Sequence, residues 1–220
     1  MRFVSRRCPN CELRFPVADG TDLGRACPRC GTATQRIDAP YPSHEVRDHP
    51  RPPRAVELEA LFDNIRSVRN VGSMFRSADG AGIGHLHLCG FTPTPDHPQL
   101  RKTSLGAEAS VPWTQYPDAV ATADRLRSRG HVLWAVEGGP RSECLYTHDT
   151  LTSLPASGTL ILVFGHEVSG VDPRVLDRCA HIVRLPMHGI KGSLNVGVAF
   201  GIATYHLTFA LRPPDHGAAS

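Results

Sequence analysis

Apolar residues in the second half of the chain gather in short blocks, each ending in glycine, charge or a small hydroxyl. TLILVF (159–164) and AHIVRL (180–185) are the clearest, and runs of this length bounded by turn residues read as buried strands. Further upstream a strand is predicted near Glu57–Phe62, followed by a polar loop and a helix. Val71, Met74, Phe75 and Ala78 stand at helical spacing there, with Gly80 and Gly82 at the helix end and another strand near His85–Cys89. Thr92–Ser104 is irregular and proline-rich, and Lys102–Ala107 closes it with residues suited to a helix cap or a phosphate contact. Ala119, Val120, Ala123 and Leu126 mark one face of a helix over Asp118–Arg129, and HVLWAVE (131–137) reads as a further buried strand, both as scaffold. The last helix, Leu194–Leu211, is apolar around much of its circumference, which predicts burial, including burial in a subunit interface. Strands alternate with helices over residues 55–212, so the expected fold is α/β with a mainly parallel sheet.

The first 38 residues are different. Cys8-Pro-Asn-Cys11 and Cys27-Pro-Arg-Cys30 are separated by fifteen residues, the spacing of a structural zinc site in which two thiolate turns converge. A segment this short has too few large apolar residues for a core, so metal binding supplies most of its folding free energy. A redox dithiol is expected beside a βαβ pattern, which is missing here. Disulfides fit poorly with an odd count of seven cysteines. Residues 1–38 are therefore read as a zinc ribbon with Cys8, Cys11, Cys27 and Cys30 as ligands. Residues 39–54 carry five prolines and read as an extended linker, leaving 55–212 as the main domain and 213–220 as a flexible tail.

The chain of 220 residues carries a formal net charge of +3, and residues 1–38, with seven arginines against four acids, hold all of it. Those arginines suit phosphate contacts; a solvated charged surface accounts for them equally well. No run is long and apolar enough to span a bilayer, and the N-terminus lacks the apolar stretch of a signal peptide. The expectation is a soluble, cytoplasmic protein with no membrane association.

The loops after the two clearest strands carry Gly165, Gly170, Gly189 and Gly192. Such loops either make turns or let backbone approach a ligand, and GxxxSLN before a helix favours the ligand. Three blocks then stand in order: Asn64-Ile-Arg-Ser-Val-Arg-Asn70-Val-Gly72-Ser-Met-Phe-Arg76, Phe164-Gly-His-Glu167-Val-Ser-Gly170, and Leu185-Pro-Met-His-Gly189-Ile-Lys-Gly-Ser193-Leu-Asn195. Together they resemble the SpoU/TrmH family of RNA ribose methyltransferases, of the SPOUT superfamily, over about residues 56–210. The resemblance implies a C-terminal trefoil knot, against the general rarity of knots, together with S-adenosylmethionine as cofactor and a homodimer. Matched by position, Gly165, Leu185, Met187 and Leu194 would hold the cofactor, and Asn70, Arg76, Glu167, Ser193 and Asn195 would line the reaction centre.

The implied reaction is attack of a ribose 2′-hydroxyl on a sulfonium methyl, in which alignment and deprotonation are the difficult parts. Arg76 matches the arginine described for the family as a general base. A guanidinium stays protonated at neutral pH, so orienting phosphate and stabilising a developing alkoxide are the roles its chemistry allows. Ser193 and Asn195 would hydrogen-bond without adding charge, and Glu167 would position Arg76 or bind an amide donor. Two positions depart from the family pattern: His166, where asparagine is frequent, and His206, where an acid is common. The alternatives are a noncatalytic RNA-binding or assembly protein on the same fold and a SPOUT methyltransferase acting on a base; the motifs favour ribose. Transfer and ribosomal RNA are equally compatible substrates.

Overall fold

The computed structural model describes residues 1–42 and 54–211. Most of the expected linker (43–53) and the whole expected tail (213–220) lie outside the described residues. Two compact units result. In the first, β1 (Arg2–Arg7) pairs antiparallel with β2 (Arg14–Ala18), β3 (Gln35–Arg36) and β4 (Tyr41–Pro42). Its buried apolar side chains are Val4, Cys8 and Cys27, too few for a self-sufficient core. The two CxxC turns take its place: Cys8 N–H donates to Leu13 O and Cys27 N–H to Thr32 O, closing each turn at 2.9 and 2.8 Å.

The second unit is a seven-stranded sheet in the order β7-β6-β5-β10-β8-β11-β9, parallel at every pairing. Its strands are β5 (Val56–Asp63), β6 (Leu86–Cys89), β7 (Trp113–Tyr116), β8 (Val132–Val136), β9 (Glu143–Cys144), β10 (Gly158–Gly165) and β11 (His181–Arg184). Its helices are α1 (Val68–Ala81), α2 (Arg101–Ser104), α3 (Ala119–Ser128), α4 (His148–Thr152), α5 (Pro173–Leu176) and α6 (Val196–Ala210). Parallel strands are covered on both faces, so they read as continuous apolar runs. Along β10, Leu160, Leu162 and Phe164 enter the larger core with residues of α1 and α6, while Ile161 and Val163 enter the core formed with α3 and α5. Among the described residues no helix is long and apolar enough to cross a membrane.

Helices α1 and α6 pack together along a seam of small residues. A Cβ on Gly197 would stand 2.8 Å from Ser73 Oγ, and one on Gly201 would stand 3.4 Å from Ser77 Oγ. The last helix starts at Val196, two residues later than its apolar pattern predicts. Asn195 takes the cap position, its Oδ1 accepting from the N–H groups of Gly197 and Val198 at 2.9 and 3.3 Å, so Leu194 precedes the helix. Its outer face leaves Val198, Ile202 and Tyr205 exposed.

Candidate functional site

Strands β5 and β10 lie in register with Phe62 opposite Phe164 and Asp63 opposite Gly165. Both end at the same edge of the sheet, so the loop opening at Asn64 runs beside the loop opening at His166. Carboxyl ends of parallel strands are where α/β folds place ligands. Buried Asp63 ties the two loops: Oδ1 accepts from Asn64 Nδ2 and Oδ2 from Asp172 N–H, each at 2.8 Å. Within the second loop His166 and Gly170 exchange backbone hydrogen bonds of 3.1 and 2.9 Å. A Cβ on Gly165 would lie 2.2 Å from Gly170 C and Val171 N, so the absent side chain lets the returning loop cross the strand end. This close passage is chain against chain, a use of glycine distinct from approach to a ligand.

Glu167 is presented at the tip of that loop. Its carboxylate accepts from Arg66 N–H and Ser67 N–H at 2.9 Å each and from Asn70 Nδ2 at 2.8 Å. Asn70 Oδ1 in turn accepts from Asn195 Nδ2 at 3.1 Å, and Asn195 Oδ1 caps α6. One relay of side chains thus joins all three sequence blocks at the start of α1 and the start of α6. Partial burial opposes ionisation of Glu167, but the hydrogen bonds donated by Arg66, by the loop backbone, by Ser67 and by Asn70 outweigh it and hold its carboxyl below the usual range. A carboxylate so engaged serves as an anchor and is poorly suited to collecting protons.

Beside the relay opens a cavity of 620 Å³, within the size range of small-molecule and cofactor sites. Gly165, Leu185, Met187 and Leu194 line it, as do Glu167, Ser193 and Asn195. Asn70 reaches it through its partners. Arg76 is apart: it is exposed on α1, about 9 Å of helix rise beyond Asn70, and makes no hydrogen bond or ion pair among the described residues. Glu167 does not contact it. Arg69 and Arg76, seven positions apart, share a side of α1; with Arg66 they are exposed and form no salt bridge among the described residues.

One acidic residue of the cavity escapes a reading from sequence. Glu137, just beyond β8, lines the cavity and accepts from Val171 N–H and Gly138 N–H, both at 3.0 Å. The available signal was an acid followed by Gly138-Gly139 at the end of a buried parallel strand. His166 also lines the cavity, and its Nδ1 accepts from Val168 N–H at 3.1 Å and Ser169 N–H at 3.2 Å. An asparagine oxygen at this position makes the same kind of turn-closing bond, which accounts for the substitution without a proton-transfer role.

In the first unit the Sγ atoms of Cys8, Cys11, Cys27 and Cys30 lie within 4.8 Å of one another. Cys8–Cys30 and Cys11–Cys27 are 3.5 Å apart and Cys11–Cys30 3.6 Å. Four thiolates about 2.3 Å from one tetrahedral zinc would stand roughly 3.8 Å apart, so the set fits that ion. The surrounding arginines are largely engaged: Arg7 with Glu12, Arg14 with Asp38, Arg25 with Asp22 and Arg36 with Asp19. Arg6 donates to Thr34 and Arg2 to Pro40 O. Arg29 alone among the seven makes no such side-chain contact among the described residues. The positive charge of these arginines is thus mostly committed within the unit.

A family model described as the SpoU rRNA Methylase family matches residues 57–205. The 23S rRNA (guanosine-2'-O-)-methyltransferase RlmB of Pseudomonas aeruginosa is 29% identical over 152 residues, covering 69% of this chain and 58% of that protein. The tRNA (guanosine(18)-2'-O)-methyltransferase of Borreliella burgdorferi is 26% identical over 155 residues, covering 70% and 67%. Among solved structures, the SpoU methyltransferase AviRb from Streptomyces viridochromogenes in complex with the cofactor AdoMet aligns with a TM-score of 0.61 at 26% identity, covering 72% of this chain and 62% of that one. The chain spans 58% of the length of the first of these relatives.

Proposed function

The chain belongs to the SpoU rRNA methylase family, and from that premise we infer that it is an S-adenosylmethionine-dependent methyltransferase acting on a ribose 2′-hydroxyl of tRNA or rRNA. The observation that carries the reading is the Glu167–Asn70–Asn195 relay at the mouth of the 620 Å³ cavity. S-adenosylmethionine, when bound, supplies an activated methyl group on a sulfonium. Gly165, Leu185, Met187 and Leu194 would hold it. Asn195 and Ser193 would orient a hydroxyl at the cavity, while Glu167 and Asn70 would fix the loop geometry around them. Arg66, Arg69 and Arg76, all exposed, would offer guanidinium groups to RNA phosphates; Arg76, although apart from the cavity, is the group this reading assigns to charge developing on the 2′-oxygen. A permanently charged guanidinium can favour loss of the hydroxyl proton without accepting it.

The reading includes a trefoil-knotted C-terminal region and a homodimer. The exposed stripe Val198, Ile202 and Tyr205 on α6 supports the dimer, being an apolar face that a second copy would cover. It also includes a zinc ribbon over residues 1–38 and a methyltransferase domain over 55–212. A cytoplasmic location suits both RNA and reduced cysteine ligands.

Incubating the protein with labelled S-adenosylmethionine and separate tRNA and rRNA pools tests the activity. Label is expected in one pool, with Arg76→Ala losing about 100-fold or more in rate while circular dichroism and cofactor binding stay unchanged. Full activity in that variant would remove Arg76 from the mechanism, and absence of label from both pools would overturn the reading.

A further inference from the structure

Exposed apolar side chains on the loops around the cavity include Phe91, Val168 and Ile190, and Phe91 is the aromatic one of the three. It follows β6 on a turn whose Gly90 has φ +63°. Gly90 packs so closely on Asn64 that a Cβ there would lie 2.0 Å from Asn64 Oδ1. Phe91 N–H donates to Asn64 Oδ1 at 3.3 Å, and Gly90 N–H donates to Tyr116 O at 2.9 Å. The next residue, buried Thr92, donates to Cys89 O at 2.7 Å and accepts from Ile65 N–H at 3.1 Å. A large aromatic ring therefore stands 59% exposed on a turn tied to the loop that carries the first motif block.

The ring meets His166 edge-to-face, the centroids 5.9 Å apart and the planes at 85°. His166 is held by the N–H groups of Val168 and Ser169 and lines the cavity, so Phe91 is fixed at the cavity's rim. Arg66 stands two residues after Asn64, the acceptor for Phe91 N–H; it is exposed and its own N–H meets Glu167. A half-exposed aromatic face at the cavity's rim, on loops that also carry exposed Arg66, matches the chemistry of an unstacked nucleotide, which offers a planar base and a phosphate. Aliphatic peptide would gain burial from Phe91 but would make no use of the planar face or of Arg66.

The geometry points to Phe91 as the platform on which a nucleobase of the RNA substrate stacks, with His166 positioning the ring. The target ribose would be steadied at the cavity mouth by a base held outside it. This inference rests on the RNA methyltransferase reading and adds to it a residue that none of the three motif blocks contains.

The test measures KM and kcat on a pool of unmodified tRNA transcripts and 23S rRNA fragments for the full-length wild type and for Phe91→Ala, Phe91→Leu and Phe91→Tyr. S-adenosylmethionine affinity by calorimetry and sedimentation velocity are recorded for each. Loss of one base–aromatic stack is expected to raise KM for RNA about tenfold in Phe91→Ala, with cofactor affinity and sedimentation unchanged. Phe91→Tyr recovers most of that affinity, and Phe91→Leu, apolar but not planar, does not. Wild-type KM in the alanine or leucine variant would overturn the proposal, as would a shift in sedimentation that assigns Phe91 to a subunit contact. Wild type that labels no RNA would overturn the function reading and the platform with it; wild type that labels RNA with an indifferent Phe91 overturns the platform alone.

Discussion

Replacing Glu167 with glutamine removes a charge from the point where the first two motif blocks meet. Its carboxylate receives three hydrogen bonds of 2.8–2.9 Å across about a hundred residues of sequence. A hydrogen bond to an ionised partner contributes about 1.5–3 kcal/mol when water is excluded. Glu167 is only half-buried, so solvent screening lowers the combined loss to about 1–2 kcal/mol. For a chain of this size each kcal/mol shifts Tm by about 2–4 °C, giving an expected drop of about 2–8 °C at neutral pH. The sign of the pH dependence follows from the depressed carboxyl. Its stabilisation is complete above the ordinary value of 4.5 and is lost as pH falls through the lower value of the folded protein. The Tm gap between wild type and Glu167→Gln should stay constant from neutral pH to above 4.5 and narrow below it. Thermal melts by circular dichroism at matched ionic strength measure the gap. A gap that persists unchanged in acid, or no gap at neutral pH, would refute the claim that an ionised Glu167 holds the two loops together.

Perturbations at three other places separate packing from chemistry. Asn195→Ala should lower stability by about 1 kcal/mol through the lost cap and abolish most methyl transfer; Asn195→Asp should keep the cap and the Tm but lose the donor to Asn70, so activity falls without a matching loss of stability. Gly165→Ala places a Cβ 2.2 Å from backbone of the returning loop, and a loss of at least about 2–3 kcal/mol in denaturant unfolding is expected. Elemental analysis should find one zinc per chain, and Cys11→Ser or a strong chelator should remove it and unfold residues 1–42, seen as loss of amide protection confined to that unit.

The sheet was legible because its strands are buried on both faces: Leu162 and Ile161 enter opposite cores, so the run carrying them is apolar throughout. Helix α1 was legible from the spacing of Val71, Met74, Phe75 and Ala78, all buried. β9, α4 and α5 have two to five residues and no continuous apolar run, so no pattern marks them. The start of α6 was misplaced because apolar Leu194 continues the helix pattern while Asn195 supplies the cap. In the site, the family resemblance named Asn70, Glu167 and Asn195, but their contact depends on the β5–β10 register, a long-range fact absent from local pattern. Glu137 was hidden because HVLWAVE is equally good scaffold; its carboxylate gains a partner beyond neighbouring Gly138 only through Val171, a long-range contact. The ribbon arginines read as available charge until the short strands bring Asp19 and Asp38 beside Arg36 and Arg14.

Methyl transfer to ribose leaves the added mass on the sugar. Its most direct test is mass spectrometry of nucleosides from RNA incubated with the protein and S-adenosylmethionine carrying a deuterated methyl group. The expected product is a nucleoside whose added mass, label included, remains on the sugar when the glycosidic bond fragments. Label on the free base instead, or no labelled nucleoside from either tRNA or rRNA, would contradict the account.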